Sequence, residues 1–153
     1  MTNFFRPFIA LSLVLLSACA TAPGQPFSQI EQPKSDKGNI YLYRTGALFA
    51  MGEGFNLQVD NKDSGQLFNK SYLLFSLSPG QHVLKVSPKG IAAKVSELTV
   101  DVAAGKTSFY QYDFVTGPLA NFFFVGSSIA PRDKNIALSA LIELKSATAD
   151  VAK

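Results

Sequence analysis

The rhythm of hydrophobic and polar positions changes at Gly38. From there to Val125, short alternating or wholly apolar runs are separated by turn residues every 8 to 12 positions, the pattern of an all-β domain. Ile40 to Arg44 is the first predicted strand. Phe55-Asn56-Leu57-Gln58-Val59-Asp60 alternates cleanly, so Phe55, Leu57 and Val59 share a face. Asp60 to Gly65 reads as a turn and Gln66 to Asn69 as a short return strand. Ser71 to Leu77 is nearly all apolar, which predicts a central strand. In Ser78-Pro79-Gly80-Gln81, Pro presets φ at the second turn position and Gly accepts positive φ at the third. His82 to Ser87 then turns Leu84 and Val86 inward. Leu98, Val100 and Val102 point the same way, against Glu97, Thr99 and Asp101. Thr107 to Val115 places Tyr110, Tyr112 and Phe114 on one face, until Thr116-Gly117-Pro118 breaks the run. Asn121 to Val125, with three consecutive Phe, reads as a buried strand or a sticky exposed one. Asp133 or Asn135 is placed to cap a helix with Ile136, Ala140, Leu141 and Leu144 at helical spacing. The expected fold is mainly β: a small antiparallel β-sandwich or partly open barrel of about seven strands with a C-terminal helix. It should occupy residues 38–147, with 148–153 as a frayed tail.

Two other patterns precede Gly38. Met1 to Arg6 carries one base and no acid, Phe8 to Leu16 is apolar except for Ser12, and the small residues Ser17, Ala18, Cys19 and Ala20 follow. That order is the layout of a secretion signal over residues 1–18. As a helix the apolar run spans about 15 Å, half of the roughly 30 Å hydrocarbon core that an uncleaved anchor must cross. Ala20 to Lys37 contains Pro23, Pro26 and Pro33 among Gln, Ser and Thr, without an apolar period. Residues 19–37 therefore read as the mature N-terminus and a flexible tether.

Leu16-Ser17-Ala18-Cys19 resembles the lipobox of bacterial lipoproteins. The resemblance implies cleavage between Ala18 and Cys19, a diacylglyceryl group on the thiol, and commonly an acyl chain such as palmitate on the new amine. Cys19 is the only Cys of the chain. An odd Cys in an exported protein asks for an explanation, and lipidation supplies one. Two or more acyl chains, at about 0.8 kcal/mol per buried methylene, anchor stably. Ala20 stands where inner-membrane lipoproteins of Gram-negative bacteria often carry Asp. The resemblance thus implies the outer membrane, with the domain facing the periplasm.

Composition narrows the choices further. Without residues 1–18 the chain keeps 135 residues and a net charge near +2, since Arg6 leaves with the signal. Lys62, Lys70, Lys85, Lys94, Lys106 and Lys145 are scattered singly, so no nucleic-acid footprint is expected. No Cys remains for a disulfide, so a hydrophobic core must hold the domain, and 10 of the 13 Phe with all 5 Tyr supply it.

Ile40-Tyr41-Leu42-Tyr43-Arg44, Val59-Asp60-Asn61-Lys62, the stretch from Leu77 through Pro79-Gly80-Gln81-His82 to Val86, and Val102-Ala103-Ala104-Gly105-Lys106-Thr107 together resemble domain-of-unknown-function family 2846. That family occurs in bacterial envelope proteins. The Pro-Gly-x-His hairpin is also similar to that of the PEGA domains, small β-sandwich modules of surface proteins. These are turn and strand motifs, and the resemblance brings no catalytic residues. Asn61 stands where the family usually has Gly, and Asn tolerates the same left-handed conformation.

Candidate chemistry is sparse. His82 is the sole His and follows a turn, and no Gly-x-Ser-x-Gly elbow offers it a nucleophile. A structural role is expected for it. Asp60 to Gly65 imitates a calcium loop, but Lys62 and Ser71 occupy ligand positions three and twelve. Zinc lacks its Cys and His ligands. Gly52-Glu53-Gly54 lacks the third glycine and the setting of a dinucleotide loop. No enzyme, metal or cofactor is expected. Two features remain for binding. Leu48, Phe49 and Met51 make the connection after the first strand apolar, marking either a cover over the sandwich or a contact for an envelope protein partner. Tyr110, Tyr112 and Phe124 would line a site for a small apolar ligand in the alternative reading, a periplasmic carrier or sensor.

Overall fold

The computed structural model describes residues 22–47, 52, 54–88, 94–116 and 124–148. Two sheets pack face to face, and neither closes into a barrel. The four-stranded sheet has the order β3-β2-β5-β6, built from β2 (Phe55–Val59), β3 (Lys62–Leu67), β5 (Gly80–Ser87) and β6 (Ser96–Val102). Every pair in it is antiparallel. Its inner face carries the residues that alternation picks out: Phe55, Leu57, Val59, Leu84, Val86, Val100 and Val102 are all buried.

The β2–β3 connection is tighter than expected. Asp60 and Asn61 adopt φ of 51° and 62°, the two left-handed residues of a two-residue hairpin turn. They reverse the chain by themselves, so Lys62 to Gly65, expected as turn, pair instead as the first part of β3. A bulge between Leu57 and Gln58 leaves Ser64 as the extra residue, next to Gly65 at φ 116°. This strand escapes a hydrophobicity reading because it is a polar edge, exposed or half-buried until Leu67.

The five-stranded sheet has the order β8-β7-β1-β4-β9, from β1 (Gly38–Arg44), β4 (Ser71–Leu77), β7 (Thr107–Thr116), β8 (Phe124–Arg132) and β9 (Lys145–Ser146). It is mixed, which corrects the all-antiparallel expectation: β1 runs parallel to β7, and β4 runs parallel to β9. Parallel neighbours need a long crossover, and the chain makes the first one by passing through the other sheet between β4 and β7. Among the described residues nine strands stand against the expected seven or so, because β8, read only at its start, and the two-residue β9 join the edges.

β1 is buried along its whole length because a hydrophobic cluster lies on each side. Ile40 and Leu42 face the space between the sheets, with Leu57, Leu73, Leu84 and Tyr112. Tyr41 and Tyr43 face outward into a second cluster with Phe27, Phe109, Ala137, Leu141 and Leu144. The helix α1 (Lys134–Leu141) covers that outer face through Ala137 and Leu141. Ile136, expected inward, is 57% exposed, and Leu144 lies beyond the helix although it is buried. Asp133 occupies the N-cap without a side-chain capping bond.

The stretch read as tether is the largest departure. Residues 22–31 run along the domain as a strap. Gly24 N–H donates to the Ser146 carbonyl at 3.0 Å, Phe27 N–H to that of Leu144 at 3.0 Å, and Ser146 N–H to that of Gln25 at 2.8 Å. Pro26 bridges Lys145, so the strap extends the sheet beyond β9. Any side chain at Gly24 would collide with the Thr148 carbonyl, so only glycine lets the two segments approach this closely. Phe27 is driven onto Tyr41 and Tyr72, with ring centroids 6.1 and 5.6 Å away and nearly perpendicular planes. Further on, Glu31 N–H donates to the Tyr41 hydroxyl and its carbonyl accepts from Asn39 Nδ2. Composition suggested a coil, and these contacts overrode it.

Candidate functional site

Three groups of side chains merit consideration as sites. The first is the clasp around His82. The turn residue Asp60 accepts the Val83 N–H at 2.9 Å through one carboxylate oxygen and meets His82 Nδ1 at 2.7 Å with the other. His82 Nε2 lies 2.8 Å from the Ser78 carbonyl. A carboxylate and a carbonyl only accept, so both ring nitrogens must carry a proton to satisfy both contacts. The ring is complete only as imidazolium. Accordingly its pKa is raised, chiefly by the Asp60 bond, and that of Asp60 is lowered, chiefly by the Val83 amide. Two of the motifs that carried the family resemblance, Asp60-Asn61 and Pro79-Gly80-Gln81-His82, are thus two halves of one clasp.

The sign of its pH dependence follows. A raised folded-state pKa on His82 contributes stability that is complete below the ordinary value near 6.5 and lost as pH rises through the folded value. A lowered pKa on Asp60 contributes stability present above the ordinary carboxylate range and lost as acid protonates it. His82→Gln should therefore lower the melting temperature by a few degrees near pH 5.5, and the gap from wild type should narrow by pH 9. Paired thermal melts across that range check it, and a gap that widens toward pH 9 contradicts it.

The second group lies on the outer face of the five-stranded sheet beyond α1. Arg132 Nε donates to Gln111 Oε1 at 2.9 Å, and its Nη2 to Asp113 Oδ2 at 3.1 Å. Gln111 Nε2 completes the ring to Asp113 Oδ1 at 2.8 Å, and the Tyr43 hydroxyl donates to Gln111 at 3.3 Å. The network ties edge strand β8 to β7 and β1. Sequence reading missed it, although Gln111 and Asp113 are the alternate partners of Tyr110, Tyr112 and Phe114 on β7. Beside it, Tyr110, Pro131, Arg132 and Lys134 border an open hollow of about 270 Å³.

The third group is the aromatic end of the space between the sheets. Phe55 stands edge-on to Tyr112 and Phe114, with centroids 5.6 and 5.7 Å away. The buried Arg44 guanidinium lies 4.3 Å from the Phe55 ring centre and 5.3 Å from that of Phe114. Tyr112 is 1% exposed, and its hydroxyl has no hydrogen-bond partner among the described residues. Burial raises its pKa against a smaller lowering from nearby Ser127.

The sequence-expected residues divide among these places. Tyr112 is in the aromatic core, whereas Tyr110 lies between that core and the surface hollow. The backbone of Phe124 begins β8. Ala18, Cys19, Leu48, Phe49 and Met51 lie outside the described residues. The strand ends that flank residues 45–54 and 117–123 are Arg44, Phe55, Thr116 and Phe124. Pairing and the Arg44–Phe55 contact bring all four to one end of the sandwich. Among the described residues, no group of three His, Cys, Asp or Glu side chains is placed to hold a metal ion. No helix among them is long and apolar enough to cross a membrane.

Comparison with known proteins accords with the turn motifs. No curated protein matches the chain. The family described as "Protein of unknown function (DUF2846)" matches residues 34–128, from the end of the strap through the Asp60–His82 clasp and into β8. With well over half the chain matched, the protein belongs to the DUF2846 family.

Proposed function

We propose that this protein is a bacterial lipoprotein anchored through Cys19, with a non-catalytic domain that engages another envelope protein. The domain faces the periplasm from the outer membrane in this reading. The observation that carries the anchor is the lone Cys of the chain, placed directly after an apolar leader and Leu16-Ser17-Ala18. The partner reading is supported by topology. The connection that carries Leu48, Phe49 and Met51 is flanked by Arg44 and Phe55, which meet at one end of the sandwich. Apolar residues gathered at one place on a surface mark interaction sites.

Cys19→Ser is expected to leave the protein unprocessed or in the soluble fraction. Intact mass of the wild type should correspond to a chain starting at Cys19 plus acyl groups. Recovery of Met1 or of a bare thiol contradicts the anchor. For the partner, purification of the lipidated protein with and without Leu48→Ser, Phe49→Ser and Met51→Ser should show a stoichiometric companion lost from the triple variant.

A second reading, carriage of a small apolar ligand, draws on Tyr110 beside the open hollow. It has less support, because Phe55 and Phe114 already pack against the Tyr112 ring. Extraction of a lipid or other apolar compound from the purified protein would favour it.

A further inference from the structure

The strap changes how the domain sits on whatever its N-terminus is fixed to. Ala22 is 6% exposed, and two residues later Gly24 is bonded to Ser146. Among the described residues, packed structure is already present at Ala22, three residues after Cys19. Three extended residues reach at most about 11 Å. A domain of this length has a radius of gyration near 14 Å, equivalent to a sphere of about 18 Å radius. The leash is shorter than the radius of the body it holds. A free tether of 18 residues would instead have given a mean reach of about 23 Å, enough for unrestricted rotation.

We propose that the strapped edge of the five-stranded sheet, formed by residues 22–27 with β9, is the membrane-apposed surface of the domain, and that the opposite edge, where β6 meets β8, points away. This rests on lipidation of Cys19 and deepens it from an address to an orientation. The occupant is the headgroup layer of a phospholipid bilayer, argued from where the packed chain ends and how little chain precedes it. The chemistry of the edge suits that neighbour. Pro23, Gln25, Lys145 and Thr148 are exposed along it. Lys145 N–H donates to the Lys70 carbonyl at 3.3 Å, which brings two exposed lysines to one place, with Glu143 the exposed acid nearby. On the far side, Ser96 and Ser127 hydroxyls join β6 to β8, and Glu97, Thr99 and Asp101 are exposed.

The chain contains no Trp, so single tryptophans can report its distance from lipid. Full-length lipidated protein would be reconstituted in phosphatidylcholine vesicles containing dansyl-labelled phosphatidylethanolamine, with Gln25→Trp or Lys145→Trp as near probes and Thr99→Trp as the far probe. Energy transfer should be several-fold stronger from both near probes than from Thr99→Trp. Inserting twelve Gly and Ser residues between Thr21 and Ala22 should bring the probes level. Two near positions guard against one variant that disturbs the strap. Acylated, vesicle-bound protein with equal transfer from all three probes overturns the orientation alone. Protein without acyl mass on Cys19 that fails to float with the vesicles overturns the anchor and the orientation together.

Discussion

Replacing Phe55 with alanine lowers the unfolding free energy by about 3–5 kcal/mol, the range for removing a large buried aromatic ring. The upper part of that range is expected here. Phe55 is fully buried, and its loss opens a cavity beneath Tyr112 and Phe114, removing two edge-on ring contacts of about 0.5–1.5 kcal/mol each. It also strips the nearer of two aromatic faces from the buried Arg44 guanidinium. A desolvated cation over a ring gains about 2 kcal/mol. Phe55→Leu separates the causes, since it keeps most of the apolar volume and removes the π face; a residual loss of about 1–2 kcal/mol measures what that face contributes to Arg44, Tyr112 and Phe114 together. Urea titrations check both variants through a lower midpoint at unchanged slope. A loss below about 1 kcal/mol for Phe55→Ala would mean that the ring is not a keystone of this end.

Phe27→Ala is expected to cost about 2–4 kcal/mol, a large effect for a residue in a stretch whose composition reads as linker. Phe27 is 9% exposed and fills the gap between Tyr41, Tyr72 and the residues that follow α1. Without it, the strap keeps its backbone bonds to Ser146 and Leu144, the Glu31 bonds to Tyr41 and Asn39, and the packing of Ile30. Amide exchange at residues 24–31 should accelerate more than exchange in β5 and β6, because the strap can open without unfolding the four-stranded sheet. Uniform acceleration would show that the strap and the sheets melt as one unit. No change at all would return these residues to the status of a free tether.

What could be read from the sequence follows from how many faces of each element are buried. β2, β5 and β6 have one buried face, so alternation exposes them directly, as it does β7 beyond Phe109, which lies in the outer cluster. β1 has two, and its periodicity disappears into a uniform apolar run whose second partner layer no pattern announces. β3 and most of β8 are edges rich in small and polar residues, Gly65 in one and Gly126, Ser127, Ser128 and Pro131 in the other. An edge strand can be polar on its free side and can hold a proline. β9 exists only because Lys145 and Ser146 meet Ser71 and Tyr72. The strap did carry a signal, Phe27 and Ile30 amid polar residues, but two apolar positions do not make a period. The clasp was legible in part. His82 was assigned to structure for want of a nucleophile, whereas its carboxylate partner lay in a different motif 22 positions away. The Gln111–Asp113–Arg132 network is not legible because polar residues alternating with an aromatic face read as a water-facing side, and Arg132 lies about 20 positions away.

The parallel pairing of β1 with β7 imposes an order of events on the nascent chain. Ile40 lies opposite Ser108, so one flank of β1 stays unmatched until 68 further residues have been made, whereas β4 reaches the other flank after roughly half that interval. During that interval a long apolar ribbon shows bare amides and carbonyls to its surroundings, a template for illegitimate pairing with another copy. Maturation is consequently slow for a domain of this size, as expected where distant segments must find each other. Any product cut short before β7 should accumulate as aggregates and not as a smaller soluble fold.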